Sequence, residues 1–453
     1  MNKFNSLGCA AALCAAAWMP LAQADAVIDW NARAGSAAVA ACYAPVFDPF
    51  HESRLYAMAH IAIHDALNAI QRRTTPYAYD AAAPAGASLD AAAAAAARDV
   101  MASELAAHPF ALAPPAACAD VAVALVESEY AAALAAIPDG DAKTDGIATG
   151  QAAAAAILAL RAEDGADTAF ADFGYAQGTG IGEWRFTDDL PFALIPGWQH
   201  VAPFALESAG QFPPRAPYPV SCGAARQADT AGSCVQYARD FDEVKHYGGA
   251  GDSLRSPDQT QIAIFWIESS PLAWNRIGRD VATARGLDPW ENARLFALLN
   301  MALADGYIAV IESKYRIGYW RPETAIRLAD GDGNPWTQAD PDWVALGAPV
   351  PPFPDHESGH SVEGGAAAEV FRRLFGTDNV AFDACSVMLP GDLACGGAHE
   401  VRRQYSSFSQ AAQENADSRV LVGYHFRNAV EEGVKRGRKI GAHAVKNYLR
   451  PAH

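Results

Sequence analysis

The sequence predicts an all-α protein, and three observations carry that prediction. Hydrophobic residues make up 51% of the chain and charged residues only 19%. The apolar majority is rich in alanine, which loses no side-chain entropy on entering a helix. Long stretches keep apolar residues at helical spacing, and Pro- and Gly-containing breaks separate them. Short connections between such stretches suit antiparallel helices packed as a bundle.

Taken in order, residues 37–72 read as helical, with YAMAHIAIHDALNAI as the strongest part. Residues 88–108, 117–137 and 140–163 read as three further Ala-rich helices, punctuated by Pro114-Pro115 and Pro138-Asp139-Gly140. Residues 165–255 differ: Gly, Pro and aromatics dominate and helical periodicity fades. A long irregular segment inside a globular chain is often functional, although a segment that only wraps the bundle has the same composition. Helical character returns at 258–283, 288–325, 360–375 and 418–448. The 453 residues therefore divide into a leader (1–24), a helical bundle with an irregular segment (25–255), and a second helical bundle (256–453).

The leader has the form of a secretory signal. Lys3 precedes the apolar run LGCAAALCAAAWMPL, and Ala22-Gln23-Ala24 fits a cleavage site before Asp25. The run is short for a bilayer span, and no later segment reads as one. A periplasmic or secreted location is expected. Of eight cysteines, Cys9 and Cys14 leave with the signal. The six that remain suggest disulfides in an exported protein. Cys222 with Cys234 and Cys385 with Cys395 are favoured as neighbours that close short loops, and Cys42 with Cys118 follows by elimination. Connectivity is otherwise open.

The formal charge is -18. Such a surface repels phosphate backbones and anionic lipid, so nucleic acid is not expected as a partner. Cations gathered at one place in this chain then point to a small anion. Three segments gather them. Lys314 and Arg321 lie seven residues apart, two helical turns, so one helical face would carry both. A Pro-rich approach leads through Ser358-Gly359-His360 into a helix. A hydroxyl and a free amide at a helix N-terminus favour anions, and His360 is placed for acid–base work. Read blandly, Ser358 only caps the helix. Ser418-Arg419-Val-Leu-Val-Gly423-Tyr-His425 adds one Arg and one His. Their six-residue offset needs a turn near Gly423 before both reach one ligand. Together these groups are a kit for holding a tetrahedral or trigonal-bipyramidal oxyanion.

The ordered pattern Lys-x6-Arg-Pro, Ser-Gly-His, Ser-Arg-x3-Gly-x-His resembles that of the vanadium-dependent haloperoxidases and of the acid phosphatases in the type 2 phosphatidate phosphatase superfamily. HIAIHDALNAI, QIAIFWIESSPLAWNRIGRDVA and ALADGYIAVIESKYRIGYWRPETAIR extend the similarity over most of the chain. The resemblance implies an all-α fold of two four-helix bundles. It implies that Lys314, Arg321 and Arg419 neutralise vanadate oxygens, and that Ser358 and the Gly359 amide hydrogen-bond them. His425 would be the axial ligand to the metal and His360 the acid–base residue. Hydrogen peroxide, a halide and a small organic acceptor would be the partners. In a phosphatase the same pocket would hold phosphate, with His425 as nucleophile. A binding protein without turnover is the third reading. A homodimer is compatible with helical bundles of this size.

Two positions depart from the family pattern. Glu357 stands where the family usually has Pro, and a carboxylate there would lower the local potential. Ala429 stands where members often carry an Asp that orients the axial His; Glu431 and Glu432 are nearby candidates to replace it, and a badly oriented His would disfavour phosphatase chemistry. Phe353 stands where chloroperoxidase-like members have Phe, and His356 shares its loop without an assigned role. Elsewhere, His60 and His64 have a metal-compatible spacing but read as helix packing. Asp240, Asp242 and Glu243 read as a solvated face. Asp330-Gly-Asp332-Gly-Asn334-Pro335 reads as a turn, since Pro335 stands where a calcium loop needs Gly.

Overall fold

The computed structural model describes residues 25–187, 189–222 and 231–452. The expected leader, with Cys9 and Cys14, lies outside the described residues. The elements in chain order are α1 (Ala26–Ala40), α2 (Pro49–Ile70), α3 (Leu89–Ala107), α4 (Ala119–Ala135) and α5 (Asp141–Leu160). Two short strands follow, β1 (Ala171–Asp172) and β2 (Ala193–Leu194), then α6 (Ala231–Gly248), α7 (Pro257–Phe265), α8 (Ser270–Arg285) and α9 (Pro289–Ile317). The chain ends with α10 (Pro322–Arg327), α11 (Gly359–Phe375), β3 (Phe382–Ala384), β4 (Arg403–Tyr405), α12 (Phe408–Leu421) and α13 (Arg427–Asn447). Each strand pair is a two-stranded antiparallel ribbon, β1 with β2 and β3 with β4.

Two groups of four helices pack among themselves: α2, α3, α4 and α5, then α9, α11, α12 and α13. α2 also packs on α9, and one apolar core runs through both groups. The all-helical expectation stands, with corrections in detail. The stretch 37–72 is two helices, because Asp48 accepts from the His51 amide and Pro49 opens α2. The stretch 258–283 is also two helices, with Pro271 in the first turn of α8. α6 lies inside the segment expected to be irregular. α9 begins with a capping box of Asp288 and Glu291. No spanning segment was expected after the leader, yet α9 is long and apolar enough to cross a membrane by length and composition. Its most apolar 18-residue stretch is 94% buried inside this protein, so its apolarity serves the core.

One close packing sets the position of the site. α13 presents Gly433, Gly437 and Gly441 at four-residue intervals to α11. A Cβ at Gly437 would overlap the Val362 carbonyl oxygen, so only glycine lets these backbones meet. The N-terminal ends of α11 and α13 are thereby held side by side, where the Ser358 amide donates to the Ala429 carbonyl at 3.1 Å. The three described disulfides are the two favoured pairs, Cys222–Cys234 and Cys385–Cys395, and Cys42–Cys118, which followed by elimination.

Candidate oxyanion site

A cavity of about 100 Å³ lies between the two helix groups. Lys314, Arg321, Gly359, His360, Arg419 and His425 line it, and among the described residues no carboxylate does. Six of the seven predicted site residues therefore meet in one pocket. The seventh, Ser358, is buried behind it. Its hydroxyl accepts from the Ser361 hydroxyl at 2.9 Å and makes no cap to the helix it precedes. The capping reading of Ser358 therefore fails, and its direct reach to a ligand is not part of the pocket wall.

Lys314 and Arg321 do converge, but not along one helix. α9 ends at Ile317, and Gly318 takes the left-handed conformation (φ 65°) that stops it. The chain then turns, and Arg321 enters from the residue before α10. The segment expected to be irregular pins this turn: the Trp184 amide donates to the Gly318 carbonyl and the Trp320 amide to Gly182. Leu194 from β2 lines the pocket itself, so the segment shapes the site as well as wrapping the bundle.

The Lys314 ammonium donates to the Pro354 and Asp355 carbonyls, each at 2.9 Å. Arg321 donates from Nε to the Phe353 carbonyl and from Nη1 to the Tyr424 carbonyl, both at 2.8 Å. Arg419 donates from Nη1 to the Trp266 carbonyl at 2.9 Å. The Phe353 ring lies against both Lys314 and Arg321, 4.7 and 4.8 Å from its centroid. Two buried donors remain unpartnered: Arg321 Nη2 and Arg419 Nε. Burial pushes Arg321 and Arg419 down to about 10, and burial with the neighbouring Arg321 holds Lys314 well below its ordinary value. Three desolvated cations without an opposing carboxylate on the wall are costly unless an anion joins them.

The expected turn at Gly423 is present (φ 85°), and the Tyr424 and His425 amides both donate to the Arg419 carbonyl. That return path brings His425 to the ligand side of Arg419. The His425 Nδ1 lies 2.7 Å from Asp355 Oδ1, and its Nε2 lies 3.1 Å from Arg321 Nη1. A proton on Nδ1 shared with the carboxylate leaves the Nε2 lone pair for the pocket. Asp355 is thus the group that orients His425, and the expectation for Glu431 or Glu432 is corrected. Glu432 turns outward to Lys435 and to the Arg215 amide, and Glu431 lies by Lys435. Helical phase carries both off the His425 side. Asp355 was passed over in the sequence, and its one signal there is an acid in the Pro-rich approach, three residues before Ser358. Burial pushes Asp355 up to about 7 against the pull of Arg321 and Lys314.

His360 donates from Nε2 to the Glu268 carbonyl oxygen at 3.1 Å, so in the neutral ring Nδ1 carries the lone pair. Burial, then the charge of Arg419, holds its pKa well below the usual value. His425 is held down in the same way, by burial and then by Arg321. Gly359 opens α11, and a Cβ there would meet only Tyr307 and Val310 at ordinary contact. Protein crowding does not require this glycine; a Cβ would instead fill the cradle. Glu357 is turned away, paired with Arg436 and 3.3 Å from the Ser313 hydroxyl. Its charge is matched there and does not enter the pocket. His356 donates from Nε2 to the Arg215 carbonyl at 2.7 Å.

The outer wall is apolar: Val46, Phe47, Pro49 and Phe50 from the approach to α2, with Val310, Ile311 and Phe353. None of the four residues ahead of or within α2 was expected at the site. The motifs set aside have structural roles. His60 is buried with Nε2 2.8 Å from Asn31 Nδ2, and burial pushes it down to about 3. His64 bonds Asp65 and Thr74. Asp240 is buried and accepts from the Asn428 amide at 2.8 Å, so it is not part of a solvated face. Asp332 accepts from the Asn334 amide and the Thr337 hydroxyl, as a turn residue does.

Residues 294–453 match the family model of the VCPO second helical-bundle domain. Over 222 residues the chain is 31% identical to the vanadium chloroperoxidase of Curvularia inaequalis, a match that covers 41% of this chain and 35% of that protein. The chain thus spans about a third of this relative's length. Among solved structures it is similar to the first bacterial vanadium-dependent iodoperoxidase, with a TM-score of 0.70 and 25% identity over 95% of this chain and 96% of that one. It shares its fold with a bacterial vanadium-dependent chloroperoxidase in the holo form, with a TM-score of 0.64 and 16% identity over 86% and 90% of the two chains.

Proposed function

Since the chain belongs to the vanadium haloperoxidase family, we propose that it is an exported vanadate-dependent haloperoxidase, oxidising a halide with hydrogen peroxide. One observation carries this reading: three buried cations and the His425 imidazole line one small cavity in which no carboxylate of the described residues takes part. The residues fit a vanadate. Arg321 Nη2 and Arg419 Nε are unpartnered donors for its oxygens, Lys314 adds a third positive charge, and His425 Nε2, which accepts from Arg321 Nη1 at 3.1 Å without the anion, would be the ligand atom. The Gly359 amide adds the positive end of α11. Bound there, vanadate supplies Lewis-acid activation of peroxide.

The chain's own residues handle the proton and the water. His360 is kept neutral by burial, so at neutral pH its Nδ1 accepts a proton from peroxide rather than giving one up. The apolar outer wall excludes bulk water and strengthens each charge inside. The cavity is small, about 100 Å³, so an organic acceptor would meet the oxidised halide at its mouth. The disulfides suit an oxidising periplasmic or extracellular location.

The phosphatase reading keeps one favourable observation. Asp355 orients His425 as firmly as a phospho-histidine nucleophile requires, which removes the objection raised by Ala429. A binding protein without turnover would leave His360 without work. The test uses phosphate-free protein split in two, one half incubated with orthovanadate. Peroxide-dependent bromination of a phenol dye is expected only in the vanadate half, and is expected to vanish in His425→Ala. Hydrolysis of a nitrophenyl phosphate without metal, inhibited by vanadate, would replace this reading with the phosphatase. Oxyanion binding without either reaction would leave a binding protein.

A further inference from the structure

Behind His425, on the side away from the oxyanion pocket, lies a second and much smaller cavity of about 10 Å³. Tyr237, Asp240, Asp355, His356, Asn428 and Ala429 are among its lining residues. The volume is that of roughly one water-sized probe, the lower limit for holding one molecule of water. Four of these residues each contribute a buried polar atom with no hydrogen-bond partner: Asp355 Oδ2, Tyr237 Oη, His356 Nδ1 and Asn428 Oδ1. Buried polar atoms are rarely left unpaired, and four around one small space are an unusual concentration.

The donor and acceptor count selects the occupant. Asp355 Oδ2 and Asn428 Oδ1 accept. His356 Nε2 already donates to the Arg215 carbonyl, so its Nδ1 also accepts. The Tyr319 hydroxyl is engaged with the Tyr218 carbonyl at 2.9 Å, which leaves the Tyr237 hydroxyl as the donor. Three acceptors and one donor face the space; a water gives two hydrogen bonds and takes at least one, so it can serve the Tyr237 hydroxyl, Asp355 Oδ2 and one of the other two acceptors.

We propose that this cavity is a binding site for a single water molecule that ties Asp355 Oδ2 to the Tyr237 hydroxyl, making Tyr237 a positioning residue for His425. The physical need is clear from Asp355 itself. Its Oδ1 is bonded to His425 and the Phe426 amide lies near the carboxylate; a partner on Oδ2 adds a tie from the far side. Tethered through water to α6, the carboxylate fixes both the tautomer and the ring plane of His425. Ala429 is small enough to leave this space. The segment around 165–255, through α6, thus reaches the site from behind as well as through Leu194.

The inference rests on His425 being the ligand atom of the proposed oxyanion, but two of its readouts need no anion. A high-resolution crystal structure of the anion-free protein is expected to show one ordered peak at hydrogen-bond distance, about 2.8 Å, from Asp355 Oδ2 and Tyr237 Oη. An empty cavity overturns the proposal, as does a peak at about 2.4 Å from the oxygens, which is the range of a metal cation. In protein labelled with ¹⁵N-histidine, His425 is expected to show a single Nδ1–H tautomer, and Tyr237→Phe to show a mixture. Phosphate, used as the probe, is expected to bind Tyr237→Phe roughly tenfold more weakly, with an unchanged melting temperature. A Tyr237→Phe variant with the parental tautomer and parental phosphate affinity overturns the positioning role. If the parent protein binds no phosphate or vanadate but the water and tautomer are as described, it is the oxyanion reading that has failed.

Discussion

Two buried ion clusters, one in each half of the molecule, differ in how their charges are matched. In the first half, Arg54 pairs with Glu104 and with Asp164, and Arg161 pairs with the same Asp164 at 2.8 Å. Two guanidinium groups face two carboxylates, and Arg161 also donates to the Pro203 carbonyl and lies on the Phe204 ring. In the second half, Lys314, Arg321 and Arg419 face the pocket with Asp355 as the carboxylate behind them, already shared with His425. A matched buried cluster satisfies itself and holds helices together. An unmatched one keeps its excess charge for a ligand, and the protein stores that cost in its fold.

This contrast can be broken by experiment. The largest effect is expected at the matched cluster: Arg54→Ala leaves Glu104 buried without its Arg partner and Asp164 with Arg161 alone. Denaturant unfolding should show a loss of about 3–5 kcal/mol and little change in oxyanion affinity once the protein is folded. Arg321→Ala should do the reverse. Titration calorimetry is expected to show phosphate or vanadate binding weakened by about a hundredfold, roughly the 2.7 kcal/mol of a charge-assisted bond pair. In anion-free buffer its melting temperature should hold or rise, because an unmatched buried charge has gone. A melting temperature that falls as far as in Arg54→Ala would erase the distinction between the clusters.

A smaller effect sharpens the same comparison. Phosphate at a hundred times its dissociation constant should stabilise the parent by about 2.7 kcal/mol through mass action, and Arg321→Ala by only about 0.4 kcal/mol at that concentration. The smallest expected effect concerns an acid near the site. Burial pushes Glu52 up to about 8, with the Ser269 hydroxyl and the charge of Glu268 as lesser influences. Its folded pKa lies above its unfolded value, so the folded state keeps a proton that the unfolded state releases. Stability from this group is full below the ordinary carboxylate range and is lost as pH rises to about 8. Glu52→Gln should therefore flatten the stability curve between pH 5 and 8 by at least about 1 kcal/mol, measured by denaturant midpoints across that range. An unchanged slope would mean that Glu52 is ionised in the folded protein.

The sequence by itself determined the helical class, the favoured disulfide pairs and the cations, histidines and glycine of the pocket, but not its apolar outer wall. These are local matters. Alanine content and helical spacing act over a few turns, Gly423 marks its turn because positive φ suits glycine, and cations in an acidic chain stand out wherever they gather. What only the tertiary structure decided are contacts between segments far apart in the chain. Lys314 and Arg321 share a ligand because Gly318 ends α9 and Trp184 pins the turn, not because one helix carries both. Ser358 is drawn behind the pocket by Ser361. His425 is oriented by Asp355, seventy residues earlier, while Glu431 and Glu432, near in sequence, point elsewhere. The reason is physical: periodicity fixes which face a residue occupies on its own element, but the meeting of a Pro-rich loop with a turn between two helices follows no period. It is set by how closely Gly433, Gly437 and Gly441 let α13 approach α11.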